Sequence, residues 1–157
     1  MLNEQCASFI QRFTSMSIAA RDAQNRPVVG RALGCRVSAD RRRLTLFLSS
    51  SREAQALACL RENGAIALTV TRPSTNETLQ FKGKVLDILP LSDADRAEIA
   101  AYRQSFVEEL AALGYEPGFT RAVLAGSEDS VAVAFEATEI YDQTPGPKAG
   151  TLLEPLP

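Results

Sequence analysis

Short runs of alternating apolar and polar residues, each bounded by turn-forming residues, make up most of this 157-residue chain. The runs predict six strands, because successive side chains of a strand point to opposite faces and strands end at clusters of turn residues. They cover residues 16–23, 28–37, 44–49, 65–71, 78–88 and 130–141. Short turns join most of these strands. The pattern therefore favours a mainly β fold, a small six-stranded antiparallel barrel with flanking helices, over a doubly wound sheet.

Apolar residues recur at helical spacing in three other segments. They predict a short helix around Phe9, a second helix over about 52–63 that ends at Gly64, and a long helix over about 92–113. Ser92, followed three residues later by an aspartate, has the spacing of a capping box at the start of the long helix.

The length of the chain suits one domain, 1–157. Within it, we interpret 92–125 as a helical insertion between two strands and 143–157 as a tail rich in proline and glycine. Residues 144–150 contain too many of these two residue types for regular structure.

The composition restricts the chemistry. The chain has no histidine, which excludes Ser-His-Asp and Cys-His catalysis and histidine metal sites. Cys6, Cys35 and Cys59 lack the spacing of metal ligands, so we predict no metal site, and buried thiols are the simplest interpretation. No general acid or base stands out either. If the chain does chemistry, a bound cofactor supplies the reactive atoms.

The net charge and the N-terminal sequence bear on the partners and the cellular location of the protein. A net charge of -2 gives no general attraction to nucleic acid or to an anionic membrane, so we predict neither partner. The N-terminus lacks the pattern of a signal peptide, and no stretch approaches about 18 apolar residues. We therefore expect a cytoplasmic protein.

Ser50, Ser51, Arg52 and Glu53 lie where the third predicted strand meets the second predicted helix. Ser50 and Glu53 have the spacing of a capping box, which would be a purely structural role. Arg52 opposes the helix dipole at this position, and a bound anion would remove that conflict. A helix cap and a phosphate site both remain open from these residues alone.

Arg31 and Arg36 lie five residues apart on one predicted strand, so a regular strand would point them to opposite faces. They reach one ligand only if the strand bends, for which Gly30 and Gly34 leave room. The alternative is that both arginines face solvent.

Thr78, Gln80 and Lys82 alternate with apolar residues and give the fifth predicted strand a polar face. Hydroxyl and amide groups can orient a heteroaromatic ring, although a solvated sheet face has the same pattern. The chain has neither a G-x-G-x-x-G loop nor a P-loop, which argues against those two nucleotide folds.

In their order and spacing, these segments resemble the pyridoxamine 5'-phosphate oxidase-like family, the FMN-binding split barrels, from about Phe9 to Gly150. The segments are Asn25-Arg26-Pro27 before the strand of Arg31 and Arg36, the strand Leu44 to Leu48, Ser51-Arg52 at a helix start, Arg61-Glu62-Asn63-Gly64-Ala65, and Thr78 to Val85. The resemblance implies a six-stranded split barrel and FMN at the interface of a homodimer.

Cofactor contacts are implied residue by residue. Arg31 and Arg36 match the family's R-x-x-x-x-[KR] pattern, and Arg52 matches the first basic residue of its S-R-K phosphate motif. The resemblance places the backbone of Leu46 and Phe47 at the flavin ring. Thr78 stands where the family usually has a glutamine that touches the flavin, and Gln80 lies on the same face. The implied FMN-binding residues are Arg31, Arg36, Leu46, Phe47, Ser50, Ser51, Arg52, Thr78 and Gln80.

Two departures separate this chain from the true oxidases. Glu53 replaces a phosphate-binding lysine, and the chain lacks the tryptophan and the arginine-histidine pair that recognise pyridoxal phosphate. The resemblance therefore points to a distinct subgroup, an FMN-dependent oxidoreductase with an unassigned small-molecule substrate. A flavin carrier or sensor without turnover and a deazaflavin-dependent reductase are the alternatives, and the missing histidines disfavour a haem-degrading relative.

Overall fold

The computed structural model describes residues 2–125 and 128–155, which form eight strands and four helices. The strands are β1 (Ser15–Arg21), β2 (Pro27–Arg31), β3 (Cys35–Val37), β4 (Arg43–Ser49), β5 (Ala65–Thr71), β6 (Thr78–Pro90), β7 (Ser130–Asp142) and β8 (Thr151–Pro155). The helices are α1 (Glu4–Gln11), α2 (Ala54–Asn63), α3 (Asp93–Ala112) and α4 (Pro117–Val123).

The strands form an antiparallel sheet that closes on itself. Their order is β2-β1-β5-β6-β7-β4-β3, and the two outermost strands, β2 and β3, follow each other in the chain. The strand predicted over 28–37 is therefore bent at residues 32–34, so that one half pairs with β1 and the other with β4. Gly34 adopts a φ of 139° in this bend, a conformation that favours glycine. The predicted mainly β, antiparallel split barrel is confirmed, but its strand count differs: with β2 and β3 taken as one bent strand the described sheet has seven strands, one more than the predicted six, because β8 pairs with β7.

The helix predictions agree closely with the structure. Gly64 ends α2 in the left-handed conformation, and Ser92 and Asp95 form the predicted capping box at the start of α3. The insertion also contains α4, and β8 pairs with β7; neither element was predicted from the sequence. Residues 144–150 contain neither helix nor strand, as predicted, and the last two residues of the tail lie outside the described ranges.

The core fills the barrel and the space beneath α3. Alternate residues of the strands point inward, including the fully buried Leu44, Leu46 and Phe81. From α3, Tyr102 and Phe106 are buried and stacked, with ring centroids 6.0 Å apart. Among the helices in the described ranges, α3 is the longest, with 20 residues, and neither it nor any other has an apolar stretch suited to spanning a bilayer.

Candidate functional site

Five polar side chains form a line across the outside of the barrel, which we call the cross-strand row. The strand register places directly opposite one another Arg31 on β2, Ser17 on β1, Thr69 on β5, Gln80 on β6 and Tyr141 on β7. Directly opposed residues share a face of the sheet, and all five are half-buried. The row spans four strand spacings, about 19 Å. It therefore brings the predicted residues Arg31 and Gln80 onto one open surface.

The amide of Gln80 is only loosely held. Its Nε2 donates to Thr69 Oγ1 at 3.4 Å, and its Oε1 accepts from Gln143 Nε2 at 3.4 Å, both near the upper limit for a hydrogen bond. Thr78, by contrast, is buried, and its hydroxyl lies 3.0 Å from that of Thr71. Of the two predicted residues on β6, Gln80 is the one available to a ligand.

An open groove of about 520 Å³ continues this face beyond the row. Its floor consists of small side chains, among them Ala19 and Ala67, which lie opposite each other on β1 and β5. Lys82 lines one side, and its Nζ lies 4.5 Å from the centre of the Tyr141 ring. A flat floor of this kind can accept a planar ring or the surface of a second subunit.

Arg31 connects the cross-strand row to the junction between β4 and α2. Its Nη1 donates to Ser15 Oγ at 3.3 Å, and its backbone N–H donates to Glu53 Oε1 at 3.1 Å. A side chain at Gly30 would overlap the Glu53 carboxylate, so the glycine allows this approach. The capping box predicted for Ser50 and Glu53 is therefore wrong: Glu53 precedes the first residue of α2, makes no cap hydrogen bond and reaches to β2 instead.

The serine turn, Ser49 to Ser51, already holds a carboxylate of the protein. Asp129 accepts from the Ser51 N–H at 2.8 Å and from Ser49 Oγ at 3.1 Å. The hydrogen bonds from Ser51, together with that from Ser49, lower the pKa of Asp129. The Ser50 N–H donates to the backbone oxygen of Asp129 at 3.3 Å. An internal anion therefore uses some of the donors that the sequence assigned to a phosphate.

The side chain of Arg52 points to the end of α4. Its Nη1 donates to the Val123 carbonyl at 3.4 Å, next to the Leu124 carbonyl, which accepts from Arg103 Nη2 at 2.7 Å. Burial, and then the positive charge of Arg52, lower the pKa of Arg103. Within the described ranges, neither arginine forms an ion pair. Two guanidinium groups thus meet without an acidic partner.

Arg36 has a partner within the fold. Its Nη2 lies 2.8 Å from Oδ1 of Asp95, at the start of α3. Burial would raise the pKa of this carboxyl group, but hydrogen bonds from Ser92 and from Arg36 hold it below its usual value. The structure therefore does not bring Arg36 to the cross-strand row.

Leu46 and Phe47 lie in the interior, and both side chains are fully buried. The Phe47 N–H donates to the Gly34 carbonyl at 3.2 Å, and its carbonyl accepts from the Leu33 N–H at 2.8 Å. Both backbone groups of Phe47 are thus engaged within the barrel. Contact between them and a flavin would require the bend at residues 32–34 to move away from β4.

Asp129 and Arg103 are the residues of this region that sequence reasoning missed. Asp129 lies 78 residues after Ser51 in the chain, and no local pattern connects them. Arg103 lies on a helix whose apolar stripe indicated only a packing role. The only feature of the sequence that pointed to Arg103 was its position next to Tyr102, a tyrosine of the apolar stripe of α3.

The fold of this chain is known from solved structures. No protein-family model and no curated protein matches the sequence. Among solved structures, an F420 reductase is 21% identical, with 88% of this chain and 98% of that chain covered and a TM-score of 0.58. An FMN-binding protein from Syntrophomonas wolfei is 9% identical, with 98% and 87% covered and a TM-score of 0.57. A candidate pyridoxamine 5'-phosphate oxidase from Lactobacillus delbrueckii is 13% identical, with 89% and 93% covered and a TM-score of 0.57.

The chain is a split barrel of this type. The resemblance of the sequence to the pyridoxamine 5'-phosphate oxidase-like proteins is confirmed at the level of the fold. The heme storage protein HutZ from Vibrio cholerae is another match, so proteins of this fold are named for FMN, for F420 and for haem. The fold alone therefore does not identify a ligand, and a choice among FMN, F420 and haem must rest on the residues of this split barrel.

The described part of the split barrel contains no group of three or more His, Cys, Asp or Glu side chains that could hold a metal ion. Cys6, Cys35 and Cys59 are all buried. Burial raises the pKa of Cys35 to about 12, so this thiol stays protonated and unreactive at neutral pH.

Proposed function

We propose that this split barrel is a homodimeric FMN-binding protein, and that it acts as a flavin-dependent oxidoreductase on a small molecule. The observation that carries the proposal is the position of Arg31. This residue belongs to the cross-strand row and also contacts the junction that holds Ser50, Ser51 and Arg52. One ligand with a flat polar ring and a phosphate-bearing chain would use both regions.

The chemical groups of the two regions fit such a ligand. Gln80 offers both a donor and an acceptor to the carbonyl and N–H edge of a flavin ring, and Ser17 and Thr69 add hydroxyl groups. Arg31 and Arg52 would supply guanidinium groups for the phosphate, and Ser50 and Ser51 would add hydroxyl groups. When bound, the flavin supplies hydride transfer, which none of the protein's own side chains provides.

Two carboxylates set a limit on the affinity of this site. Asp129 occupies donors of the serine turn, and Glu53 lies against the backbone of Arg31. Both repel a phosphate dianion. We therefore propose a weaker phosphate site than one with a lysine in place of Glu53.

The proposed homodimer follows from the open sheet face. The residues of the cross-strand row remain half-buried because nothing in the described part of the chain covers them, and a flavin bound there needs a second wall. Light scattering of the flavin-bound protein is expected to give twice the 17.0 kDa of one chain. A monomeric flavin-bound protein would contradict the interface.

Titration of flavin fluorescence with Arg52→Ala tests the phosphate assignment. We expect FMN to bind about tenfold to a hundredfold more weakly, because a charge-assisted hydrogen bond contributes roughly 1.5 to 3 kcal/mol. Arg61→Ala is the matched control, since Arg61 is also an exposed arginine but lies in the last turn of α2. Equal dissociation constants for wild type and Arg52→Ala would refute the assignment.

A deazaflavin is the second candidate cofactor, and the match to an F420 reductase favours it. The same cross-strand row would serve its ring. Mass spectrometry of the cofactor released from purified protein separates the two, because FMN and F420 differ in mass. A Soret band in the visible spectrum would instead indicate haem.

The choice between an enzyme and a carrier or sensor module requires a turnover assay. We expect the FMN-loaded protein to oxidise NADH or NADPH with an added acceptor faster than free FMN does. A rate no higher than that of free FMN would favour the module without turnover.

A further inference from the structure

A cavity of about 490 Å³ lies between α3 and α4, outside the cross-strand row. Its wall is apolar where Val107 and Leu124 line it, and polar where Arg103 and Arg121 do. Among the described residues that line it, none is acidic. In a chain with a net charge of -2, this cavity is a local concentration of positive charge.

The guanidinium groups of this cavity lack partners of opposite charge. Arg103 uses Nη2 to bind the Leu124 carbonyl, while its Nε is buried and has no hydrogen-bond partner among the described residues. Arg121 forms no ion pair with any part of the chain that the structure describes. Arg52 does not line the cavity, but its positive charge acts on Arg103 from the Val123 carbonyl. An unmet buried donor and closely spaced like charges are both unfavourable, and a bound anion would relieve both.

We propose that the α3–α4 cavity binds the anionic group of a small organic molecule, a carboxylate or a phosphate ester, between Arg103 and Arg121. The planar guanidinium suits both oxyanions because it can donate two parallel hydrogen bonds. The apolar part of the ligand packs against Val107 and Leu124. This site does not depend on the proposed flavin, because Arg103, Arg121 and the cavity itself lie on the helical insertion.

NMR titration of the ¹⁵N-labelled protein tests the site directly. Phenyl phosphate and benzoate are the anionic probes, and benzyl alcohol is the neutral comparison with a similar apolar ring. We expect at least one anion to bind with a dissociation constant of about 1 mM or lower and to shift the signals of Arg103 and Leu124. The probe that binds more tightly distinguishes a phosphate ester from a carboxylate. Equal binding of the alcohol, or no shift on α3 and α4 with either anion, would overturn the proposal.

Two variants locate the binding. Arg103→Gln and Arg121→Gln are each expected to weaken binding of the anion at least tenfold, while the exposed Arg61→Gln has no effect. Since Arg103 is partly buried, Arg103→Lys provides a variant that keeps the charge and is expected to recover part of the affinity. Unchanged affinity in Arg121→Gln, which is exposed and need not disturb the fold, would contradict the site.

Titration of FMN into the same proteins separates this proposal from the proposed function. We expect FMN to bind Arg121→Gln as tightly as wild type and not to displace phenyl phosphate. Competition between the two, with weaker FMN binding in Arg121→Gln, would place the flavin phosphate in the cavity and overturn a separate site. Failure of FMN to bind any of the proteins, while phenyl phosphate still binds, would refute only the flavin proposal.

Discussion

The ion pair between Arg36 and Asp95 provides a prediction whose size follows from the structure. Asp95→Ala removes the capping acceptor for Ser92, which contributes about 1 kcal/mol. It also removes the hydrogen bond to the Arg36 guanidinium at 2.8 Å. The side chain of Arg36 is 44% exposed, so solvent screening reduces that contribution to about 1 kcal/mol. The variant should therefore lose about 2 kcal/mol of unfolding free energy, or roughly 4 to 8 °C in Tm.

Urea unfolding of a double-mutant cycle measures the pair itself. We expect Arg36→Ala and Asp95→Asn to show a coupling energy of about 1 kcal/mol, because each single change removes the same contact. The pKa of Asp95 is lowered in the folded protein, so the unfolded chain binds the proton more tightly. The pair thus contributes in full at neutral pH and is lost as the pH falls through the folded pKa, below about 4. The stability difference between wild type and Asp95→Asn should shrink in that range.

The same variants test whether Arg36 serves the fold or a cofactor. Because Asp95 already binds its guanidinium, we expect Arg36→Ala to change the FMN dissociation constant less than threefold. A coupling energy near zero would refute the stabilising role. An unchanged unfolding free energy combined with lost FMN binding would show that Arg36 acts as the sequence resemblance implied.

Two further predictions concern a close backbone contact at Gly83 and the negative charge of Asp129. A Cβ at Gly83 would overlap the Glu136 carbonyl, so Gly83→Ala should lose about 1 to 3 kcal/mol in urea unfolding. Gly118→Ala on α4, where the added Cβ meets nothing within 4 Å, should be neutral or slightly stabilising; equal losses would contradict this contact. Asp129→Asn should tighten FMN binding about threefold to tenfold in fluorescence titration, because it removes a negative charge beside the Ser51 N–H. Weaker binding would instead indicate that Asp129 organises the site.

Local patterns in the sequence were sufficient for most of the fold. Apolar residues alternate along Ala65 to Thr71, and this alternation predicted both ends of β5 correctly, because the strand has one buried and one open face. Gly64 and Ser92 marked helix ends by the conformation and the hydrogen bonds that such residues favour. The bend at Gly34 could be anticipated only as a possibility, because barrel closure depends on how β2 and β3 pair with distant strands.

The site was harder to predict because its contacts join distant parts of the chain. Arg31 and Gln80 fall in one row only through the register of four strands. The spacing of Glu53 predicted a local cap, but the open space above Gly30 gives its carboxylate a different partner on β2. Asp129 has no local signal, since its hydrogen bonds reach back to the serine turn across about half of the chain.

A crystal structure of the protein soaked with FMN would show where the flavin binds. We expect the flavin ring on the cross-strand row, with its polar edge within hydrogen-bond distance of the Gln80 amide. We expect the phosphate beside the guanidinium groups of Arg31 and Arg52. A flavin bound elsewhere on the barrel, or a phosphate that contacts neither arginine, would contradict the proposed site.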